Sequence, residues 1–237
     1  TRGQGSAWQN GDTPDLQPPD PRNVSKDADL DPGSRPEDPS IQEEHVSEGT
    51  GPGRLSSRKV HEGRIVKLSV DTVRFPDGTT GELEMIRHPG AAAILPVVGS
   101  ASEQDPEILL LKQYRYAAGG YLFEVPAGLP KGPGEPWDDC AHRELEEETG
   151  HRASRMTHLT QIFTTPGFTD EAIHLYVAEG LVPGESRLDD DEFVEVLRMP
   201  FSAALEMVRT GAINDGKSLA MLLYAAAFVV GKGGARP

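Results

Sequence analysis

One stretch of the chain reads Gly128-Leu-Pro-Lys-Gly-Pro-Gly-Glu-Pro-Trp-Asp-Asp-Cys-Ala-His-Arg-Glu-Leu-Glu-Glu-Glu-Thr-Gly150, a Gly- and Pro-rich loop followed by a glutamate-rich segment. Pro136 is tolerated in a first helical turn, where its missing N–H has no partner within the helix. Asp138 and Asp139 suit the positive end of the helix dipole, and a glycine such as Gly150 is a typical helix stop. The stretch therefore predicts one helix between Pro136 and Gly150.

The predicted helix has two different faces. Ala141 and Leu145 are four residues apart and can face a core, whereas three glutamates share another face, namely Glu144, Glu147 and Glu148. Like charges at this spacing repel, so the acidic face costs stability unless cations lie against it. Hard divalent cations such as Mg2+ prefer oxygen ligands. The residues alone leave two interpretations open: a metal-binding face, or a solvated face that Arg143 partly compensates.

The spacing of these residues resembles the signature of the Nudix hydrolase family. Its order here is Glu135, seven residues, Arg143-Glu144, an apolar residue, any residue, Glu147-Glu148, any residue and Gly150. The resemblance implies hydrolysis of nucleoside diphosphates linked to another group, with Mg2+ or Mn2+ bound on this helix. Two positions depart from the family pattern: the loop after Gly128 is one residue longer, and His151 replaces an apolar residue. Neither departure touches the glutamates.

Motifs outside the helix are similar to those of the ADP-ribose pyrophosphatase branch of this family. They are Gln113-Tyr-Arg-Tyr116, Phe123 to Gly128, Thr165 to Glu171 and Gly211 to Leu219. This resemblance implies Mg2+-dependent hydrolysis of ADP-ribose to AMP and ribose 5-phosphate, with Mn2+ as the alternative metal. Other substrates stay open, either another nucleoside diphosphate sugar or a dinucleotide. A third alternative is a non-catalytic domain that binds ADP-ribose as a sensor.

The resemblance also implies a set of metal ligands. Glu144 and Glu148 are expected to bind the metal directly, and Glu147 to support the same cluster and take part in catalysis. The carbonyl of Ala127, at the end of the strand before the loop, is expected to supply a further oxygen. Arg143 is expected to have a structural role, in which it orients the glutamates through salt bridges.

Further residues are expected to hold the substrate or to accept a proton. Arg115 suits a pyrophosphate, because a guanidinium matches phosphate oxygens in a bidentate way; an ordinary surface arginine at a strand end is the alternative. The other expected substrate-binding residues are Glu124, Gly128, Phe168 and Glu171. The resemblance puts the general base on a late acidic loop, Asp189 to Glu192. Glu192 is preferred there over Asp190, and an ordinary solvated turn is the alternative.

Charge and composition divide the chain. The net charge of the 237 residues is −15, which argues against sequence-independent binding to nucleic acid or to acidic membranes. Residues 1–57 are rich in Pro, Gly, Ser and acidic residues and are predicted to be a disordered tail. Residues 58–232 are predicted to form the Nudix domain, and residues 233–237 a C-terminal tail.

Cysteine content and hydropathy bear on the compartment. The single cysteine, Cys140, cannot form an internal disulfide, which fits a reducing environment. No apolar run of the chain is long enough for a signal peptide or a transmembrane helix. A cytoplasmic protein without membrane partners is therefore expected.

The order of strands and helices predicts an α/β fold. Alternating residues in 63–75 and 82–87, separated by the turn Pro76-Asp-Gly78, predict an N-terminal β-hairpin or meander. Further strands, one helix, more strands and two C-terminal helices favour a mixed sheet over a doubly wound parallel one. With the resemblance, this predicts a Nudix-type α/β/α sandwich. Residues 58–90 match the N-terminal strands of dimeric family members, which implies a homodimer.

Overall fold

The computed structural model describes residues 43–45, 51–187 and 193–232, and only the backbone of the first segment. Most of the predicted N-terminal tail and all of the predicted C-terminal tail lie outside these residues. The strands are β1 (Glu43–His45), β2 (Gly53–Glu62), β3 (Lys67–Arg74), β4 (Thr80–Arg87), β5 (Ala91–Val98), β6 (Glu107–Arg115), β7 (Gly120–Glu124), β8 (Ala127–Gly128), β9 (His151–Phe163), β10 (Ala172–Pro183) and β11 (Val194–Pro200). The α-helices are α1 (Trp137–Thr149), α2 (Phe201–Thr210) and α3 (Gly216–Phe228).

The N-terminal strands form a sheet of their own, in the antiparallel order β1-β2-β3-β4. A turn joins β3 to β4, in which the N–H of Gly78 donates to the Phe75 carbonyl at 3.0 Å. Gly78 has a φ of 86°, a conformation that favours glycine. Backbone pairing with β3 orders β2 from Gly53 onwards. Regular structure thus starts before residue 58, where the domain was predicted to begin.

The second sheet is mixed and has seven strands in the order β11-β6-β5-β10-β9, with β7 beside β6 and β8 beside β5. Within this sheet, β5 and β10 pair in parallel, and the other described pairs of neighbouring strands are antiparallel. Strand β5 is apolar on both faces and nearly all buried, as expected for a strand covered on two sides. Ala92 and Ile94 pack towards α1, while Ala93 and Leu95 pack towards α2 and α3. The predicted α/β/α sandwich with a mixed sheet is confirmed.

Helix α1 follows its local sequence signals. It begins after Pro136 and ends at Gly150, whose φ is 67° and whose N–H donates to the Glu146 carbonyl at 2.9 Å. Ala141 and Leu145 are fully buried against the sheet, which anchors the helix and turns its acidic face away from this core. No helix in the described part of the chain is long and apolar enough to cross a membrane.

Candidate active site

Arg143 is the centre of a group of ion pairs on α1. Its Nε donates to Glu135 at 3.0 Å, and its Nη1 donates to Glu144 at 2.6 Å and to Glu147 at 2.9 Å. Its Nη2 also donates to the carbonyl of Leu129 at 2.8 Å. The helical spacing explains part of this arrangement, since residues four apart lie one above the other. Arg143 therefore ties the loop before α1 to the acidic face of the helix.

Lys131 also belongs to this group, because its Nζ lies 2.7 Å from Glu147 Oε1. We call these five residues the Arg143 network: Arg143, Lys131, Glu135, Glu144 and Glu147. Burial opposes the charge of Glu147, but hydrogen bonds from Lys131 and Arg143 outweigh it and lower the pKa of this carboxyl. The pKa of Arg143 is raised, chiefly by its hydrogen bonds to Glu135. Glu147 and Arg143 therefore stay charged, and the carboxylates of the network outnumber its cations.

Two carboxylates of α1 lie against the short strand β8. The N–H of Ala127 donates to Glu148 Oε2 at 2.8 Å, and Glu148 is only 3% exposed. At Gly128, a Cβ atom would collide with the carboxylate of Glu144. Only glycine allows this close approach without displacing the carboxylate. Glu144 and Glu148 thus converge on the two residues of β8.

A second group of charges surrounds Glu124, at the end of β7, which is 1% exposed. Arg115 donates to its two oxygens from Nε and Nη2, at 2.8 and 2.9 Å, and Lys217 also donates to it. Lys217 Nζ lies 3.0 Å from Asp215, which also accepts from the N–H of Ser218 and so caps α3. We define the Glu124 network as Glu124, Arg115, Lys217 and Asp215.

The Glu124 network interacts electrostatically with Glu148 of α1. Burial opposes ionisation of Glu124, but the hydrogen bonds and charges of Arg115 and Lys217 outweigh it and lower the pKa of this carboxyl. The pKa of Arg115 is raised, first by its hydrogen bonds to Glu124 and also by the charge of Glu148. Arg115 is therefore charged, held in one orientation and still 42% exposed. It is suited to bind an anion beside the carboxylates of α1.

The Glu124 network lines a cavity of about 1050 Å³. The lining also includes Thr164 and Glu171, together with the apolar residues Leu122, Ile162, Phe163 and Ile173. Glu171 accepts a hydrogen bond from the Thr164 hydroxyl at 2.7 Å. The cavity is thus lined by charged, hydroxyl and apolar groups together, a combination typical of sites for polar small molecules.

The remaining predicted site residues are placed less closely together. The side chain of Phe168 is 51% exposed, and it is not among the described residues that line the cavity. Glu192 and Asp190, the candidates for the general base, lie outside the described residues. Within 51–187 and 193–232, no three Asp, Glu, His or Cys side chains form a ready metal site.

Three charged residues of these networks were missed at the sequence level: Lys131, Asp215 and Lys217. A usable signal existed for two of them. Asp215 followed by Gly, Lys and Ser is a typical N-cap pattern, so Lys217 could have been placed in the first turn of α3. Nothing local in the sequence indicated that this turn lies beside Glu124.

A model of the NUDIX domain matches residues 87–222. This chain belongs to the Nudix family. The chain is 39% identical over 173 residues to the methanol dehydrogenase activator of Bacillus methanolicus, covering 72% of this chain and 90% of that protein. It is 37% identical over 173 residues to the ADP-ribose pyrophosphatase of Bacillus subtilis, with the same coverage of 72% and 90%. The predicted family and the prediction of a hydrolase are confirmed.

A solved structure of an ADP compounds hydrolase has the same fold. Its TM-score is 0.63 at 21% sequence identity, and the match covers 77% of this chain and 96% of that chain. At this identity the likeness supports the architecture of the Nudix chain.

Proposed function

We propose that this Nudix chain hydrolyses the pyrophosphate bond of ADP-ribose in a Mg2+-dependent reaction that gives AMP and ribose 5-phosphate. One observation carries the proposal: Glu144 and Glu148 converge on β8, directly after the strand whose last residue, Glu124, holds Arg115 and Lys217 on the cavity. In this proposal, the residues that would hold a hard cation lie close in the chain to those that would bind an anion. The relative from Bacillus subtilis, an ADP-ribose pyrophosphatase, supports the choice of substrate.

The residues of α1 and β8 fit a divalent cation in their chemistry. All the proposed donors are oxygens, which Mg2+ and Mn2+ prefer. Glu144, Glu148 and the Ala127 carbonyl would hold the metal, and Glu147 would support them. A bound metal neutralises the charge of the pyrophosphate and lowers the pKa of a water bound to it. Arg143 would orient Glu144 and Glu147 through its salt bridges to them.

The cavity would hold the substrate through separate contacts. Arg115 is oriented by Glu124 and would bind the pyrophosphate oxygens in a bidentate way. Because Glu124 is buried beneath Arg115 and Lys217, it acts through them. Glu171 would accept hydrogen bonds from sugar hydroxyls, and Gly128 would leave room for close approach of the substrate. Glu192 is proposed as the general base, with Asp190 as the competitor.

A homodimer through the N-terminal strands is also proposed, in a cytoplasmic protein. Apolar side chains on or beside these strands are exposed, among them Val60 at 50% and Ile65 at 65%. A second copy would remove this surface from water. Light scattering on a sizing column should therefore give twice the chain mass; a monomer at micromolar concentration would contradict the proposal.

The test of the reaction is a panel of nucleoside diphosphate derivatives with Mg2+, with Mn2+ and with neither. We expect AMP and ribose 5-phosphate from ADP-ribose, detected by ion-exchange chromatography, only when metal is present. Faster turnover of another nucleoside diphosphate sugar or of a dinucleotide would assign that substrate instead. Binding of ADP-ribose without turnover of any compound would overturn the enzyme and leave the sensor.

A further inference from the structure

Arg87, the last residue of β4, joins two separate parts of the molecule. Its Nη2 donates to Asp71 on β3, and its Nη1 donates to Asp170 at 3.1 Å. Asp170 belongs to the segment 164–171, called the cavity loop here because its first two residues and its last line the cavity. Arg87 is thus shared between the N-terminal sheet and the wall of the candidate active site.

The partner of Arg87 in the N-terminal sheet, Asp71, is held in place by several hydrogen bonds. Asp71 is only 3% exposed, although most of this sheet is open to water. The hydroxyls of Ser57 and Ser69 donate to Asp71 at 2.6 and 3.1 Å. Burial opposes the charge of Asp71, but these hydroxyls and Arg87 outweigh it and lower its pKa. A buried, ionised carboxylate is a rigid partner for an arginine.

The end of β4 also holds the cavity loop through hydrogen bonds of its backbone. The N–H of Ile86 donates to the Phe168 carbonyl at 2.8 Å, and the N–H of Asp170 donates to the Ile86 carbonyl at 3.4 Å. The N–H of His88 donates to Asp170 Oδ1 at 2.8 Å. The end of β4 therefore pairs with the cavity loop as a short strand would, and Arg87 adds the charged contact.

The held loop carries a residue of the cavity wall. Glu171 follows Asp170 directly, and its Oε1 lies 3.5 Å from His88 Nε2. Its other oxygen accepts from Thr164 at the opposite end of the loop. Movement of Asp170 away from β4 would therefore shift Glu171, which lines the cavity.

We propose that Arg87 is a positioning residue that holds the cavity loop in place, so that the N-terminal sheet determines the affinity for substrate. The identity of the substrate in this proposal rests on the proposed function. Arg87 is not among the cavity-lining residues and pairs with none of the α1 carboxylates in the described contacts. Its loss should weaken substrate binding and leave the chemical step intact.

The experiment compares Arg87→Met with Arg198→Met in the full chain. Arg198 is a matched control, because it also pairs with a carboxylate between neighbouring strands, Glu107, but at an exposed position outside the cavity. Hydrogen exchange should become faster in residues 164–171 of Arg87→Met only. KM for the best substrate of the panel should rise about tenfold, with kcat changed by less than about twofold.

Two further variants separate positioning from folding. Asp170→Asn, at a half-exposed side chain, should raise KM to a similar extent, and the double variant with Arg87→Met should be no worse than either single one. Arg87→Lys keeps the charge but lacks the two separate guanidinium nitrogens that donate to Asp71 and Asp170, so it should give an intermediate KM. A partly unfolded enzyme would instead show lower kcat at unchanged KM.

Unchanged exchange in the cavity loop of Arg87→Met would overturn the proposal, as would faster exchange with unchanged KM. If the wild-type chain turns over no compound of the panel, the proposed function fails. In that case the exchange result alone decides whether Arg87 holds the loop.

Discussion

The Arg143 network and the Glu124 network are built with opposite signs. In the first, one arginine gathers three carboxylates, Glu135, Glu144 and Glu147. In the second, one buried carboxylate gathers two cations, Arg115 and Lys217. Both use charge-assisted hydrogen bonds at partly buried positions, where such contacts are strong. They differ in which charge is left over for a ligand.

Because of this difference, the two networks favour ligands of opposite charge. The Arg143 network, with Glu148 beside it, keeps negative charge in excess, which favours a cation. The Glu124 network neutralises its own carboxylates but leaves Arg115 oriented and 42% exposed, which favours an anion. A metal-bound pyrophosphate carries both kinds of charge. Each network can be disrupted separately by a single substitution.

The largest effect is expected from Glu148→Gln. The substitution removes a negative charge from the proposed metal site but keeps the side chain's size. Turnover should fall by about 1,000-fold, more than the roughly 10–100-fold typical of residues that only orient a ligand. Glu146→Gln, on the same helix and paired with Arg152, is the control. Steady-state kinetics with Mg2+ measure both, and a Glu148→Gln enzyme that retains activity would make the metal assignment wrong.

The acidic loop tests whether the Arg143 network is sufficient for proton transfer. Glu192→Gln should lower kcat by about 100-fold, as loss of a general base commonly does. Asp190→Asn, two residues earlier in the chain, is the direct competitor and should cost less. The pH profile of kcat/KM should lose its acidic limb in Glu192→Gln only. A larger loss for Asp190→Asn would make Asp190 the base.

Glu124→Gln tests the second network through stability. Arg115 and Lys217 would lose their shared partner, and the free energy of unfolding should fall by about 2 kcal/mol, less than for a fully buried pair because Arg115 keeps contact with water. Urea unfolding measures this, with Glu107→Gln at an exposed pair as the control. KM should rise as well, since Arg115 loses its orientation. Wild-type stability in Glu124→Gln would contradict the role given to this network.

The same variant should change the dependence of stability on pH. The pKa of Glu124 in the folded chain lies below its ordinary value of 4.5. Its ionised form therefore stabilises the fold above about pH 4.5, and this contribution is lost as the pH falls through the folded-state pKa. The stability difference between wild type and Glu124→Gln should thus shrink between pH 6 and pH 3. A constant difference would show that the charge of Glu124 is not what stabilises the fold.

The smallest effect is expected from Arg143→Lys. A lysine keeps the charge but cannot reach Glu135, Glu144 and Glu147 together with the Leu129 carbonyl. The metal concentration for half-maximal activity should rise about tenfold, as is typical when a ligand loses its orienting partner. Arg187→Lys, at an exposed pair, is the control. An unchanged metal requirement would mean that Arg143 does not orient the carboxylates.

Local sequence signals were sufficient to predict α1 and to predict that Glu144, Glu147 and Glu148 lie on one face of it. The helix start at Pro136 and its end at Gly150 follow from signals within about one turn, and the four-residue spacing of Ala141 and Leu145 indicated the face that is buried against the sheet. The family resemblance extended this to the mixed sheet and the hydrolase. The boundary at residue 58 did not match the sheet, because β2 is ordered by pairing with β3, which residue patterns in β2 alone do not show.

By itself, the sequence determined the family and the helix with its three glutamates. Only the tertiary structure decided that Glu124 lies beneath Lys217, 93 residues away, and that Arg87 reaches Asp170, 83 residues away. The physical reason is that helix capping and spacing act between near neighbours. Ion pairs between distant segments depend on how the sheets and helices pack, and no local pattern encodes that packing.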